Sequence, residues 1–128
     1  MPERKRPTIL DTSKLQADAL QFDLQAEMLP LLQRVSGNRS KRTAKTLVKE
    51  GPLRVVLLAL EKGGNLEEHA VAGPFSIQCL LGKADVTMGK TRKRLATGDL
   101  LVVDAGVAHN VDAVEASILL LTITAGRR

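Results

Sequence analysis

Short apolar runs separated by glycine turns are the feature of this sequence that most limits its fold. Two of the turns carry glycine followed by proline, at Gly51-Pro52 and Gly73-Pro74. Turn signals about 7–12 residues apart, between runs of strand length, indicate an all-β sandwich or barrel. The predicted strands are Thr43–Lys49, Leu53–Leu60, Phe75–Leu81, Asp85–Met88, Leu100–Val103, Ala108–Ala113 and Ser117–Thr124.

Two of the predicted strands carry apolar residues on both of their alternating faces. They are Leu53–Leu60 and the stretch from Ile118 to Ile123. Strands of this kind are usually covered on both faces. In a chain of 128 residues, long enough for one domain, a partner subunit could supply one of the covers. We therefore expect a homodimer.

The residues before Thr43 have a different character. Residues 1–10 are polar and basic with two prolines, which predicts a flexible tail, and residues 11–42 are predicted to form a helical extension of a barrel spanning 43–125. Ser13 and Gln16 fit a capping box, and Pro30 is expected to end or kink the helix. Gly37-Asn38 should stop any helical piece that follows. The segment Gln21–Gln25 also fits strand alternation. The apolar positions at steps of three and four are Leu15, Ala19, Phe22, Ala26 and Leu29.

Composition excludes several classes of protein. The net charge is +5, but the basic runs lie at the termini, before a strand and at a predicted hairpin tip, Lys90–Arg94. With two Phe and no Trp or Tyr, the chain lacks stacking platforms for bases, so nucleic-acid binding is not expected. A single cysteine rules out an internal disulfide. No segment approaches the roughly 20 apolar residues of a membrane span, and no signal peptide is visible, so a cytoplasmic protein is expected.

The segment from Gly63 to Gly82 has the spacing of a motif from a known family. Gly63 is followed by five residues and His69, then by Val71, Phe75 and Gly82. This spacing matches the first motif of the cupins, which reads Gly, five residues, His-any-His, three or four residues, Glu, six residues, Gly. The segment therefore resembles the cupin family of small β-barrels.

A second motif supports the same resemblance. Gly98, Asp104, Gly106, His109 and Ala113 stand in register with the second cupin motif, which reads Gly, five residues, Pro-any-Gly, two residues, His, three residues, Asn. Residues 46–124 are thus similar to a small RmlC-like cupin, which implies a jelly-roll barrel, or double-stranded β-helix. Both histidines of the chain occupy ligand positions of the family.

The resemblance is incomplete at the metal site. Metal-binding cupins use three histidines and one glutamate, whereas here Val71 replaces the middle histidine and Phe75 replaces the glutamate. One interpretation is therefore a metal-free pocket, mostly apolar with two polar anchors, for a small-molecule ligand. Its anchors would be His69 and His109. The walls expected from strand alternation are Val71, Phe75, Ile77 and Val111.

Two other interpretations stay open. Alternation also places Glu67 on the face of His69, so Glu67, His69 and His109 could hold a divalent iron, nickel, manganese or zinc ion in a dioxygenase or isomerase. Alternatively, the two histidines are structural, each bonded to a carbonyl or carboxylate in an interaction protein with a vestigial site. Cys79 is expected to be a small buried hydrophobic residue rather than a redox thiol.

Overall fold

The computed structural model describes residues 18–124. It contains one helix, α1 (Leu24–Val35), and the helix is too short to cross a membrane, so no membrane-spanning helix occurs in this part of the chain. The strands that follow are β1 (Arg42–Glu50), β2 (Leu53–Leu60), β3 (Asn65–His69), β4 (Phe75–Leu81), β5 (Lys83–Met88), β6 (Thr91–Ala96), β7 (Leu100–Val103), β8 (His109–Ala113) and β9 (Ser117–Thr124).

The strands form two antiparallel sheets that face one another. The larger sheet has the order β1-β2-β9-β4-β7, and the smaller has the order β3-β8-β5-β6. The predicted all-β class is confirmed, and each of the seven predicted strands is present within about two residues of its expected bounds.

The strands β3 and β6 are absent from the predicted strands, although alternation was assumed around His69 in what is now β3. In β6, the side chains of Thr91 through Arg94 are all exposed and only Leu95 is buried, so no apolar pattern marks the strand. The placement of Lys90–Arg94 at a hairpin tip is therefore wrong, because only Lys90 lies in the turn. Arg94 instead donates from Nε and Nη2 to the Asp85 carboxylate on β5, at 2.9 and 3.1 Å.

The inward faces of both sheets form one aliphatic core. Phe75, Ile77 and Cys79 on β4 are buried in it, as alternation predicts. Unbroken alternation along β4 would place Leu81 on the same face, but it is 39% exposed. The reason is a bulge between Cys79 and Leu81 in the pairing with β9, which moves Leu81 out of phase.

The outer face of the larger sheet is covered by α1. Leu31 and Val35 of the helix pack with Leu57, Ala59 and Ile118, which are the outward positions of β2 and β9. An ion pair between Lys45 Nζ on β1 and Glu27 Oε1 on α1, 2.7 Å apart, joins the two layers. The helix of this chain therefore supplies one of the two covers, for which a partner subunit was a possible source.

The helix differs from its prediction in its start, in its phase and in its continuation through Pro30. It begins at Leu24, where the Asp23 carboxylate caps it by accepting a hydrogen bond from the Ala26 N–H at 3.2 Å. Pro30 lies inside it without ending it, and the helix stops just before Ser36 and Gly37, as predicted. The capping box at Ser13 lies outside the described residues. The buried face is Glu27, Leu31 and Val35, whereas Leu29 of the predicted face is 61% exposed.

Candidate functional site

Three rings from both sheets meet at one end of the core. His69 ends β3 and His109 begins β8, and the two residues are directly paired across the smaller sheet. Their ring centroids are 4.1 Å apart, with the planes tilted by 55°. From the larger sheet, the Phe75 ring lies 4.5 Å from the His109 ring. The structure thus brings together three of the residues that the two sequence motifs pointed to.

A bulge in β3 positions His69. Leu66 pairs with Val111 and His69 pairs with His109, so three residue steps on β3 oppose two on β8. Because of the extra residue, Leu66 packs against the core and His69 still faces His109. The same bulge interrupts the alternation that was expected to place Glu67 beside His69. The Glu67 side chain is exposed.

Backbone hydrogen bonds fix the tautomer of both imidazoles. His69 Nδ1 lies 2.8 Å from the Glu67 carbonyl oxygen, and His109 Nδ1 lies 3.1 Å from that of Val107. A carbonyl can only accept, so Nδ1 carries the proton in each ring. In a neutral imidazole the remaining nitrogen, Nε2, is then an acceptor.

The Nε2 atoms are open to contact. Neither makes a hydrogen bond with a residue between 18 and 124. Yet no buried side-chain nitrogen or oxygen in that range lacks a hydrogen-bond partner. Each Nε2 therefore keeps at least slight solvent contact, although His109 as a whole is only 2% exposed. Each ring thus retains one acceptor lone pair that no residue between 18 and 124 uses.

Burial keeps His109 neutral. The pKa of His109 lies below its ordinary value, chiefly because burial disfavours the charged ring. The Val107 carbonyl opposes this effect by stabilising the imidazolium, and the neighbouring His69 ring lowers the pKa further. At neutral pH, His109 is thus a hydrogen-bond acceptor through Nε2 rather than a cation.

The donor set does not fit the metal ion that the resemblance to metal-binding cupins implies. Catalytic metal sites of this type keep three protein ligands. Within residues 18–124, no group of three or more His, Cys, Asp or Glu side chains is placed to hold a metal. Glu67 does not join the imidazole pair, and the Phe75 ring contacts His109 where the family has its glutamate. Iron, nickel, manganese or zinc would find two imidazoles and no third donor.

The other residues that were expected to form walls differ in how deeply they are buried. Ile77 and Val111 are fully buried in the same core cluster as Phe75. Val71 lies in the loop between β3 and β4, half-buried against the core. It also lines a cleft of about 200 Å³, which we call the mouth cleft. The residues that line the mouth cleft are Gly51, Pro52, Leu53, Arg54, Val71, Ala72, Ile123 and Thr124.

Two residues that line the mouth cleft lie outside both sequence motifs. Ile123 lines the cleft and is paired across the sheet with Phe75, which carries one of the three rings. Arg54 is the single charged residue of the run Leu53–Leu60, and that interruption of an apolar strand is the signal that could have identified it.

Cys79 lies deeper in the core and is fully buried. Burial is the main reason that its pKa is raised, so the thiol stays protonated. Its Sγ donates toward the carbonyl oxygens of Leu81 and Gly82, each at 3.4 Å. These contacts agree with the expected role of a small buried residue.

Comparison with known proteins identifies the fold. No family model and no curated protein matches the sequence. Solved structures do. A conserved protein of unknown function from Streptococcus pyogenes is 25% identical with a TM-score of 0.71, over 91% of this chain and 96% of that one. A cupin superfamily protein from Desulfitobacterium hafniense is 20% identical, with a TM-score of 0.67 over 76% and 89% of the two chains.

An RmlC-like cupin from Shewanella frigidimarina is also similar, at 22% identity and a TM-score of 0.64, over 71% of this chain and 82% of that one. At these identities the similarity concerns architecture rather than activity. Two facing antiparallel sheets, the two motif histidines on neighbouring strands and these structural matches lead to one conclusion. The protein has the fold of a small RmlC-like cupin.

Proposed function

We propose that this protein binds a small molecule at the mouth of its cupin barrel, with His69 and His109 as polar anchors. The observation that carries the proposal is the pair of Nε2 acceptors. Both rings are held by backbone carbonyls through Nδ1, so both present an unused lone pair at the same end of the core. A few convergent polar atoms in a mostly apolar concavity are typical of ligand sites.

The surroundings of the rings define how a ligand would bind. His69 is half-buried and is the more accessible anchor, whereas His109 lies beneath it. Val71 packs against the core and also lines the mouth cleft, and Phe75, Ile77 and Val111 are buried in that same core. Because neutral Nε2 only accepts, the ligand should offer a hydroxyl or N–H group to His69.

The metal-dependent alternative needs a third ligand that residues 18–124 do not supply. In the alternative interpretation, an interaction protein with a vestigial site, both Nε2 atoms would have no binding partner. A buried structural histidine more often has both ring nitrogens satisfied. We therefore assign no reaction to the site, and binding is the function that its chemistry supports best.

The proposal is tested with His69→Phe, which keeps a ring against His109 and removes both nitrogens. Asn110→Ala is the matched control, because Asn110 follows His109 but bonds outward to Asp112. Small hydroxyl- and amide-bearing compounds are screened by NMR against untagged protein. We expect compounds that shift the His69 ring signals to lose about tenfold in affinity in His69→Phe, the scale of one lost hydrogen bond in a buried site. Equal affinity for both variants, or no compound that shifts these signals, would contradict the proposal.

The homodimer expected from the sequence and a cytoplasmic location remain part of this proposal. Leu100 and Val102 on the edge strand β7 are 60% and 66% exposed, and a second copy would bury them. Sedimentation velocity of the wild type and Val102→Lys checks the dimer. We expect a dimer that dissociates in the variant, and a monomeric wild type would overturn this part of the proposal.

A further inference from the structure

We infer that the ligand is a small organic carboxylate bearing a hydroxyl group, with its carboxylate held by Arg54. The inference rests on the proposed function, since the hydroxyl group would donate to His69. Arg54 lies outside both cupin motifs, and its guanidinium points to a chemical class of ligand.

The strand register places Arg54 at the mouth. Arg54 pairs with Ile123, and Ile123 pairs with Phe75. Directly paired residues share a face of the sheet, so Arg54 lies on the inward face that carries Phe75. Two strand spacings put the Arg54 backbone about 10 Å from that of Phe75. The arginine side chain is long enough to shorten this gap substantially, and Arg54 itself lines the mouth cleft beside Val71.

The charges around Arg54 favour an anion. Lys49 on β1 is paired directly with Arg54, so two cations face each other at the end of the larger sheet. Like charges at directly opposed positions destabilise a sheet. Among residues 18–124, no hydrogen bond or ion pair joins either side chain to an acidic group. A bound anion would relieve the repulsion and complete the cleft.

The shape and lining of the cleft select a carboxylate. A guanidinium presents two parallel N–H groups that match the two oxygens of a carboxylate. Pro52, Leu53, Val71 and Ile123 supply apolar walls that suit a short hydrocarbon body and disfavour a doubly charged phosphate. At about 200 Å³, the cleft is smaller than the roughly 300–1,000 Å³ pockets of drug-sized ligands. A compact hydroxy acid is therefore the class of ligand that fits.

The experiment compares three probes on three forms of the untagged protein. The probes are 3-hydroxy-3-methylbutanoate, its uncharged amide and inorganic phosphate. The proteins are the wild type, Arg54→Gln and Arg92→Gln, a matched control that removes an exposed arginine on β6. Binding is followed through backbone signals and through the ring signals of His69 and His109, the two histidines of the chain.

We expect the acid to bind the wild type and Arg92→Gln alike, and to bind Arg54→Gln about tenfold or more weakly, as expected for one lost charge-assisted contact. The amide should bind all three proteins weakly and equally. Acid binding that is unchanged in Arg54→Gln, or phosphate binding tighter than the acid, would overturn the inference.

The same titration separates this inference from the proposed function. If the amide shifts the His69 ring signals as strongly as the acid does, the histidine site stands and the carboxylate inference is wrong. If no probe shifts either histidine, even at tens of millimolar, the inference fails. Whether the proposed function fails with it is then decided by the broader screen with His69→Phe.

Discussion

Replacing Phe75 with alanine should both destabilise the protein and raise the pKa of His109. Phe75 is 5% exposed, belongs to the inter-sheet core and stacks against His109. Removing a buried phenylalanine side chain costs about 3–5 kcal/mol of the free energy of unfolding. The vacated space lies at the open end of the barrel, so water should reach the imidazole. Since burial is the main cause of the lowered pKa, that pKa should move up toward about 6.5.

Two further variants isolate the causes. Phe75→Leu keeps much of the volume and loses the ring contact, so it should cost about 1–2 kcal/mol with a small change in the pKa of His109. Phe22→Ala removes the other phenylalanine, which packs in the helix layer, and should destabilise without changing that pKa. Urea unfolding gives the free energies, and NMR titration of the ring signals gives the pKa. An unchanged His109 pKa in Phe75→Ala would refute the claim that Phe75 shields this ring.

Two other properties follow from the structure. The unfolded chain should protonate His109 at about pH 6.5, before the folded chain does, so the free energy of unfolding should fall as pH drops from 7.5 to 5.5. His109→Phe should flatten this part of the urea-unfolding profile, and an unchanged slope would contradict the account. Gly82→Ala should destabilise far more than Gly98→Ala, because both glycines have positive φ but a Cβ on Gly82 would collide with Ala116 and Ser117. Thermal melts should show Gly98→Ala losing only about 1–2 kcal/mol, and equal losses would show that the collision is relieved.

Strands that bury aliphatic side chains were predictable from the sequence. Leu53–Leu60 and Ser117–Thr124 begin and end as expected, because each is a long, mostly apolar run with a clear change of composition at its start. The exposed edge strand β6 was not predictable in this way, since an edge strand needs pairing with one neighbour and little burial. Its position depends on β5, which local periodicity does not report.

The helix was predicted with the wrong phase for a tertiary reason. Glu27 occupies the buried face, where a carboxylate is not expected, and its ion pair with Lys45 comes from a strand far along the chain. Periodicity of apolar residues cannot anticipate a buried charge whose partner is distant in sequence. The true N-cap, Asp23, lies within the segment that also fitted strand alternation.

The candidate site was also predicted only in part from the sequence. The motif spacing pointed to both histidines, and the structure places their rings together. Alternation failed at Glu67 because a bulge adds one residue just before His69. Bulges depend on the pairing of two strands, so a single run of sequence does not reveal them. Arg54 was missed because its neighbours in the cleft come from the β3–β4 loop and the end of β9.

The most direct test of the account is the tautomer of the two imidazoles, read from long-range ¹H–¹⁵N spectra of the ring nitrogens at pH 7.5. We expect Nδ1 to carry the proton and Nε2 to be bare in each ring, because each Nδ1 faces a backbone carbonyl oxygen. Rings protonated at Nε2 would leave no acceptor facing the mouth of the barrel. That result would contradict a ligand site built on His69 and His109.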